Sequence, residues 1–338
     1  MVEIKRNKRP VLVWMNLAED FQEDPARVPE VVRRLAGAGV TDLCPFAYPP
    51  GGRVVYQRSR LMHRARQVDL LGPLVETAHR LGVRVHYVLL PFTHLGEVSL
   101  AGLPDPVLVP YLNDQFEKKE YYCVSDPASL VRCLAVLDEV RRDYGVDGFQ
   151  LDSIRDRGAV LVCQCPRCWK RVEDFYGGRV APPEEMAGHK SFRVWYAASR
   201  KEYVTALVRA VHETAAGLGA EVNMAARSWS GGGAFAEGQD WPDWVRLGLM
   251  EMVAPMTYHP ADFETFTVEV ERQLRLAPAG FQNLWPAIGI NPGRGSMTGA
   301  MFRRQLDWLV ERGVSGLSIF QASGLSDELL AILADRTG

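Results

Sequence analysis

Short apolar runs alternate with longer amphipathic stretches along this chain of 338 residues. The runs are rich in Val, Ile, Leu and Met, and the stretches between them have the apolar spacing of helices that pack one face against a sheet. Strands and helices that alternate in this way form parallel βα units. Eight runs predict eight strands: VLVWMNL (11–17), VTDLCPFAY (40–48), VRVHYVLLPF (83–92), VDGFQLD (146–152), AEVNMAAR (220–227), MEMVAPMTY (250–258), LWPAIGIN (284–291) and SGLSIFQ (315–321).

Eight such units predict an α/β fold, a closed (β/α)8 TIM barrel. We expect residues 1–338 to form a single barrel domain, with 156–189 as a zinc-bearing loop insertion after the fourth strand. The longest segments without a regular pattern all follow strands, at the carboxyl-end face of the barrel. Loops of that length inside a compact domain are usually functional. The loops expected to line a substrate cleft are 49–66, 93–122, 156–189, 228–239 and 291–297.

Composition and charge exclude several classes of partner. The net charge of −2 gives no indication of a basic surface for nucleic acid. We expect the scattered arginines to lie on solvent-exposed faces of helices. No apolar run approaches the ~20 residues that a membrane-spanning helix needs. The start of the chain has a short apolar stretch at 11–15 and no cleavage site of small residues, so we expect a cytoplasmic protein. The oligomeric state stays open, a homo-oligomer included.

The segment GVDGFQLDSIRDR, residues 145–157, combines a strand with a terminal carboxylate. Side chains of a strand alternate between its two faces, so Phe149 and Leu151 point one way while Gln150 and Asp152 point the other. We expect the polar set to face the inside of the barrel. Asp152 then lies at the carboxyl end of the fourth strand, where barrel enzymes place their chemistry. The alternative is that Asp152 merely caps the next helix.

Carboxylates, amides and aromatic side chains dominate the other residues that follow predicted strands. Saccharides need this mixture, because carboxylates and amides bond to paired hydroxyl groups while flat rings cover the CH groups. We therefore predict a carbohydrate substrate. The residues expected to bind it are Asn16, Glu19, Tyr48, Arg155, Trp241, Tyr258, His259 and Gln321. His86, inside a strand, is instead expected to be a hydrogen-bonded core residue.

Hydrolysis of a glycosidic bond needs a second carboxyl group, which donates a proton and has a raised pKa. Asp240, in the segment EGQDWPDW, is the first candidate, because Trp241 and Trp244 beside it can supply an apolar wall. The alternative is that Asp240 caps the short helix that follows, with Pro242 in its first turn. The reserve candidates are Glu237, Asp156 and Glu19.

Three of the six cysteines, Cys163, Cys165 and Cys168, lie together in the segment CQCPRC. In a chain without an export signal this favours metal binding or reduced thiols over disulfides. A structural zinc site needs four ligands, and Cys123 is the preferred fourth because it lies in a turn directly before a predicted helix. The other candidates for this position are Cys133, Cys44 and His189. Thiols without a metal are the alternative.

Several segments resemble, in order along nearly the whole chain, those of the glycosyl-hydrolase-like family 10 proteins. The segments are RPVLVWMNLAEDFQEDPARVPEVVRRLAGAGVTDL, GGRVVYQRS, HRLGVRVHYVLLPF, GVDGFQLDSIRDR, GQDWPDWVRLGLMEMVAPMTY and FQASGLSDE. The resemblance implies a TIM-barrel glycosidase. It also implies that the family's strand-four aspartate corresponds to Asp152, its aspartate–tryptophan pair to Asp240 and Trp241, and its Met/Tyr pair to Met256 and Tyr258.

A second resemblance concerns the cysteines. Cys123 followed by the C-x-C-x-x-C run at 163–168 is similar to the zinc-binding pattern of the family 42 β-galactosidases, which implies a structural zinc held by all four. The chain departs from the clan that contains those enzymes, because its seventh strand ends in IGINPGRG and carries no carboxylate. The segment DGFQLD is more similar to α-amylase-type barrels, whose nucleophile is an aspartate.

The sequence thus predicts a glycoside hydrolase of oligo- or polysaccharides. Asp152 is the predicted nucleophile or base and Asp240 the predicted proton donor, with a structural zinc and no catalytic cofactor. The missing carboxylates at strands five and seven favour the main alternative, a carbohydrate-binding barrel without hydrolytic activity. Isomerisation or lyase chemistry would normally need a catalytic metal or a Schiff-base lysine, and the lysines here lie in termini, loops and helices.

Overall fold

The computed structural model describes most of the chain: residues 9–46, 61, 68–93, 100, 102–112, 118–156, 163, 165–178, 189–227, 237–290 and 297–337. Parts of all five predicted loops fall outside these ranges. The carboxyl-end face is therefore described through the strand ends and the residues directly beside them.

Eight parallel strands close into a barrel, which confirms the predicted fold. The barrel strands are β1 (Val11–Asn16), β2 (Asp42–Phe46), β3 (Arg84–Leu89), β6 (Gly148–Leu151), β7 (Glu221–Ala226), β8 (Met252–Thr257), β9 (Ala287–Gly289) and β10 (Leu317–Phe320). Each strand pairs with the next in this order, and β10 pairs with β1 to complete the circle. The carboxyl ends of all these strands consequently meet at one face.

Helices surround the barrel, and local signals set their ends. They are α1 (Leu17–Asp20), α2 (Val28–Gly37), α3 (Leu71–Arg80), α4 (Pro127–Tyr144), α5 (Pro166–Phe175), α6 (Lys190–Gly217), α7 (Trp241–Arg246), α8 (Phe263–Leu276), α9 (Gly299–Glu311) and α10 (Asp327–Thr337). For α4, the Asp126 side chain accepts a hydrogen bond from the Ala128 N–H at 3.0 Å, and Pro127 begins the helix. Gly145, with a left-handed φ of 69°, ends it.

A hairpin lies in a region that was expected to be a loop. Strands β4 (Leu108–Leu112) and β5 (Lys118–Tyr122) pair antiparallel between β3 and α4. Their sequences, LVPYL and KKEYY, carry a proline and three charged residues, which weakens the strand signal. The end of the hairpin brings Tyr121 and Cys123 into the buried interior.

The inside of the barrel is filled by layers of four side chains, each drawn from alternate strands. From the amino-terminal end upward, the strand registers give three closed layers: Leu12, His86, Asn223 and Trp285; Cys44, Gln150, Ala254 and Ser318; Trp14, Val88, Ala225 and Ala287. All of these side chains are at most 5% exposed. The next layer, which we call the open layer, consists of Phe46, Asp152, Met256 and Phe320, all of them partly exposed. The barrel interior therefore opens to solvent at the level of Asp152.

A buried polar network occupies the lower end of the barrel. His86 Nε2 lies 2.8 Å from Asp42 Oδ1, and His86 Nδ1 lies 3.0 Å from Asn223 Nδ2. Gly148 leaves room for the ring, because a Cβ there would lie 2.5 Å from His86 Nδ1. Burial alone would raise the pKa of Asp42, but the hydrogen bond and charge of His86 and the charge of Arg84 hold it below its usual value. The prediction that His86 is a hydrogen-bonded core residue is confirmed.

Within the described ranges, every helix is too short or too polar to cross a lipid bilayer.

Candidate active site and cysteine cluster

Asp152 directly follows β6 and lies in the open layer. Its backbone N–H donates to Leu89 O at 3.0 Å, so pairing with β3 continues to this residue. Ser153 has a left-handed φ of 52°, and its N–H donates to Asp152 Oδ1 at 2.5 Å. Residues 153–156 form no helix. The carboxylate therefore ends a strand at the mouth of the barrel, and no helix begins directly after it for the carboxylate to cap.

The surroundings of Asp152 are apolar and aromatic. The other three side chains of the open layer are apolar, and the closed layer beneath contains Trp14. The Phe320 ring meets Trp14 edge to face with centroids 6.2 Å apart. Phe320 also stacks with Tyr258, with centroids 5.2 Å apart and planes 23° apart. Such a floor suits the CH face of a sugar ring, while the carboxylate suits its hydroxyl groups or its anomeric carbon.

Polar side chains gather where β1 and β10 end. Gln321 Nε2 donates to Glu19 Oε2 at 3.1 Å, and Asn16 Nδ2 donates to the same oxygen at 3.3 Å. The structure thus brings three of the predicted substrate-binding residues together. Amide and carboxylate groups at a strand end are the groups that bind hydroxyls.

Asp20, next to this group, has a buried carboxyl, and among the described residues no donor forms a close hydrogen bond with either of its oxygens. Burial, with a smaller contribution from the charge of Glu19, raises the pKa of Asp20 from 3.8 to about 7. The more distant backbone N–H groups of Asn16 and Ser323 offset this shift only in part. Asp20 therefore keeps its proton to a much higher pH than an ordinary aspartate does.

Charged side chains tie the segment after β6 to the segment after β7. Glu237 pairs with Arg155 Nε at 3.3 Å and with Arg227 Nη1 at 3.4 Å. Gln239 is fully buried, accepts the Arg227 N–H at 2.6 Å and donates to Ile154 O at 3.4 Å. Arg155 is held in this way at the rim of the site, three residues beyond Asp152 along the chain.

Asp240 forms an ion pair and caps a helix, and Trp241 is buried in the core. Asp240 Oδ2 lies 2.8 Å from Lys201 Nζ of α6, and its Oδ1 accepts the Asp243 N–H at 3.3 Å as the cap of α7. The capping alternative thus describes Asp240, and its role as proton donor stays a prediction. Trp241 is 0% exposed, which corrects the expectation that it lines a sugar site. Burial of a large indole ring gives more stabilisation in the core than at an open mouth.

His259 also points to the outer helices. Its Nε2 lies 2.9 Å from Glu269 Oε2 of α8, and its backbone O accepts Gln305 Nε2 of α9 at 2.8 Å. This pairing, in a half-buried position, orients the imidazole toward the helices. Tyr48 lies outside the described residues. Of the predicted aromatic and imidazole contacts, Tyr258 is the one that the structure places at the open layer.

Four buried cysteines converge beside the barrel. Cys123 Sγ lies 3.5 Å from Cys163 Sγ, 3.7 Å from Cys165 Sγ and 3.6 Å from Cys168 Sγ. All four sulfur atoms lie within 4.8 Å of one another. Four thiolates at ~2.3 Å from a tetrahedral zinc would be separated by about 3.8 Å. The cluster therefore has the donor set and the size of a tetrahedral metal site, with Cys123 as its fourth member.

Donor groups and a cation surround the cluster. Ser125 Oγ lies 3.2 Å from Cys123 Sγ and 3.0 Å from Cys168 Sγ, and Arg200 Nη1 donates to Cys168 Sγ at 3.0 Å. Hydrogen bonds with Cys123 and Cys163, together with the charge of Arg200, lower the pKa of the Cys168 thiol. Such outer contacts stabilise and orient thiolate ligands.

The sequence interpretation assigns the scattered arginines to solvated helix faces, and for Arg200 it is wrong, because Arg200 is 1% exposed. A signal was present in the sequence of α6. Tyr196, Arg200, Val204 and Leu207 follow one another at helical spacing, and all are buried. An arginine that continues an apolar stripe is on the inner face of its helix.

Solved structures similar to this protein share its barrel. The PgaB (BpsB) glycoside hydrolase domain from Bordetella bronchiseptica matches with a TM-score of 0.71 at 14% identity, covering 98% of this chain and 99% of that chain. A β-galactosidase from Rahnella sp. R3 matches with a TM-score of 0.63 at 12% identity, covering 99% and 56%. A chitinase from Bacteroides thetaiotaomicron matches with a TM-score of 0.57 at 10% identity, covering 98% and 97%. At these identities the likeness shows the fold.

No family model matches the chain, and no curated protein matches it. The resemblance to glycosyl-hydrolase-like family 10 is therefore not confirmed. The zinc pattern of the family 42 β-galactosidases is not confirmed either, although the four cysteines do come together. Fold and site together define a (β/α)8 barrel with a carboxylate at its carboxyl-end face.

Proposed function

We propose that this protein is a glycoside hydrolase in which Asp152 acts as nucleophile or general base. The observation that supports this most strongly is the place of Asp152 in the open layer, above a closed apolar layer and beside stacked aromatic rings. The similar solved structures carry the names of a glycoside hydrolase, a chitinase and a β-galactosidase, which favours a carbohydrate substrate.

In this proposal the rings of Tyr258 and Phe320 cover one face of a sugar, while Asn16, Glu19 and Gln321 bind hydroxyl groups. Asp152 then meets either the anomeric carbon or the attacking water. Carboxyl groups ~5–5.5 Å apart give direct attack and retention of configuration, and a separation of ~6.5–9.5 Å leaves room for water and gives inversion.

The proton donor has two candidates. The sequence predicts Asp240, but its carboxylate is already engaged by Lys201 and by the N-terminus of α7. Asp20 has the property that a general acid needs, because burial raises its pKa to about 7. Asp20 also follows β1 at the face where Asp152 follows β6. We therefore favour Asp20 over Asp240.

A screen of aryl glycosides and polysaccharides with wild type and Asp152→Asn tests the proposed activity. The asparagine keeps the shape and the hydrogen bond from the Ser153 N–H, so the fold should persist while kcat falls by about a thousandfold. Asp138→Asn on the exposed side of α4 is the control and should leave kcat unchanged. Tight sugar binding without turnover in wild type would support a non-hydrolytic carbohydrate-binding barrel instead.

Four cysteines, Cys123, Cys163, Cys165 and Cys168, form the proposed site for a structural zinc. The spacing of their sulfur atoms fits, and a site closed by four thiolates has no open position for substrate. A bound zinc would join the end of β5 to the 156–189 insertion and α5. Metal analysis of the purified protein should find about one zinc per chain.

A further inference from the structure

Arg200 is a fully buried cation next to the cysteine cluster. Its guanidinium donates to Cys168 Sγ at 3.0 Å and lies 4.6 Å from the Tyr196 ring centroid and 5.2 Å from that of Tyr203. A buried guanidinium is stable only when fixed anions surround it.

The second anion next to Arg200 is Asp156, which ends the continuously described stretch 118–156. Asp156 Oδ2 lies 3.8 Å from Arg200 Nε, and Asp156 Oδ1 accepts the Tyr121 O–H at 2.6 Å. Asp156 and Arg200 are each 1% exposed. Arg200 therefore lies between the cysteine cluster and the end of the β6 segment, which we define as residues 152–156.

The β7 segment, residues 237–240, is fixed to the same place. Glu237 O accepts the Asp156 N–H at 2.8 Å. Gly238, with φ 76°, packs so closely on α6 that an added Cβ would lie 2.9 Å from both Arg200 C and Lys201 N. Both segments at the mouth of the barrel are thus attached to α6 at Arg200.

We propose that Arg200 is a positioning residue that couples metal binding at the four cysteines to the geometry of the β6 segment, and hence of Asp152. A bound metal fixes the four sulfur atoms and keeps one anionic partner of Arg200 in place. Loss of the metal releases that partner, and Arg200 then no longer holds Asp156. The consequence for catalysis presupposes the proposed role of Asp152, whereas the structural coupling does not.

Hydrogen exchange followed by mass spectrometry tests the coupling without any substrate. Three samples of the full chain are compared. They are wild type with zinc bound, wild type after removal of zinc by a chelator, and the zinc-saturated Arg200→Met variant. The readout is a peptide that covers the β6 segment, including the Asp156 amide. We expect exchange in this peptide to be at least about tenfold faster in both altered samples, with α8 (Phe263–Leu276) unchanged as the internal reference.

Arg171→Met is the matched control, because Arg171 also lies against Tyr203 but pairs with Glu202. It should leave exchange of the β6 segment at the wild-type rate. If Arg200→Met does not fold, Arg200→Lys and the chelated wild type provide the comparison. Unchanged exchange of the β6 segment without zinc, or equal acceleration in α8, would overturn the coupling.

Kinetics separate this coupling from the proposed hydrolase activity. With a substrate in hand, zinc-saturated Arg200→Met should lose at least about tenfold in kcat with little change in KM, since the sugar floor of Tyr258 and Phe320 is untouched. A normal kcat together with fast exchange would reject a role for Arg200 in positioning Asp152. An absence of substrate turnover in wild type, with fast exchange in the variant, would reject the hydrolase and keep the coupling.

Discussion

Tyr258 lies directly over Gly289 and stacks on Phe320. A Cβ at position 289 would be 2.8 Å from the Tyr258 Cβ, and the stacked rings have centroids 5.2 Å apart. Glycine on β9 therefore makes room for an aromatic ring on β8, and that ring extends the apolar floor upward from the open layer. The position of Tyr258 is set by backbone packing, so under the proposed function the ring would meet a sugar without rearrangement.

Removal of this ring should weaken sugar binding. We expect Tyr258→Ala to raise KM by about tenfold, because an aromatic stacking contact contributes about 0.5–1.5 kcal/mol beyond area burial. Tyr258→Phe is the control and should keep most of the affinity, since the ring remains. Steady-state kinetics or calorimetric titration with an oligosaccharide measures the effect. Equal affinities for wild type and Tyr258→Ala would remove Tyr258 from the binding site.

Gly238→Ala should lower the free energy of unfolding more than Gly248→Ala does. Gly238 has φ 76° and a Cβ would meet the backbone of α6 at 2.9 Å, whereas Gly248 has φ 69° and open space around it. Both alanines strain the backbone by about 1–3 kcal/mol, but only that at position 238 also pushes α6 away. Chemical denaturation should therefore show a larger loss of unfolding free energy for Gly238→Ala. Equal losses for the two variants would mean that the close approach to α6 contributes nothing.

Zinc content should depend on the four cysteines of the cluster, and replacing one of them should lower both the zinc content and the Tm. Cys165→Ser removes one of four ligands, so we expect bound zinc to fall from about one per chain to nearly none and Tm to drop by several degrees. Cys133→Ala changes a buried cysteine of α4 outside the cluster and should keep the metal. Elemental analysis and a thermal melt of both variants give the comparison. Full zinc content in Cys165→Ser would exclude the four-cysteine site.

The barrel was predictable because its signals are local. Alternation in VDGFQLD predicts Gln150 and Asp152 inside the barrel and Phe149 outside, and the contact of Gln150 Oε1 with Cys44 Sγ at 3.8 Å places Gln150 inside. The choice of Cys123 over Cys133 also followed from local pattern, since a helical cysteine at apolar spacing is a core residue. Neither inference depends on contacts between strands and helices that are distant in the sequence.

Side chains whose roles depend on distant elements were not predictable in the same way. The segment QDWPDW fits a helix cap and an apolar wall equally well, and only the approach of Lys201 on α6 decides for Asp240. Burial of Trp241 likewise follows from packing between elements. Asp20 gave no sequence signal for a raised pKa, because its surroundings include residues from the far end of the chain, such as Ser323.

The proton donor can be identified from its dependence on the leaving group. Loss of the general acid slows release of a poor leaving group far more than release of one that departs unprotonated. We expect Asp20→Asn to reduce kcat/KM for unactivated oligosaccharides by about 10²–10⁴-fold while a dinitrophenyl glycoside is hydrolysed nearly as fast as by wild type. Asp240→Asn should affect both substrates alike, through stability. The reverse pattern would assign the proton to Asp240, as the sequence predicts.

Asp20 should also make folding stability depend on pH. The pKa of Asp20 is 3.8 in the unfolded chain and about 7 in the folded one, so the folded state holds the proton more tightly. Stability is therefore lost as pH rises from about 4 to about 7, by up to roughly 4 kcal/mol, and changes little from this group above that range. In Asp20→Asn this pH-dependent loss of stability should be absent, because an amide does not ionise, even if the substitution lowers stability by the same amount at every pH.

Denaturation of both proteins at about pH 4 and about pH 9 measures the difference in unfolding free energy between the two pH values. Glu19→Gln should make that difference smaller, because the Glu19 charge raises the Asp20 pKa. Parallel curves for wild type and Asp20→Asn would show that this carboxyl ionises normally, and Asp20 would then be a poor proton donor at neutral pH.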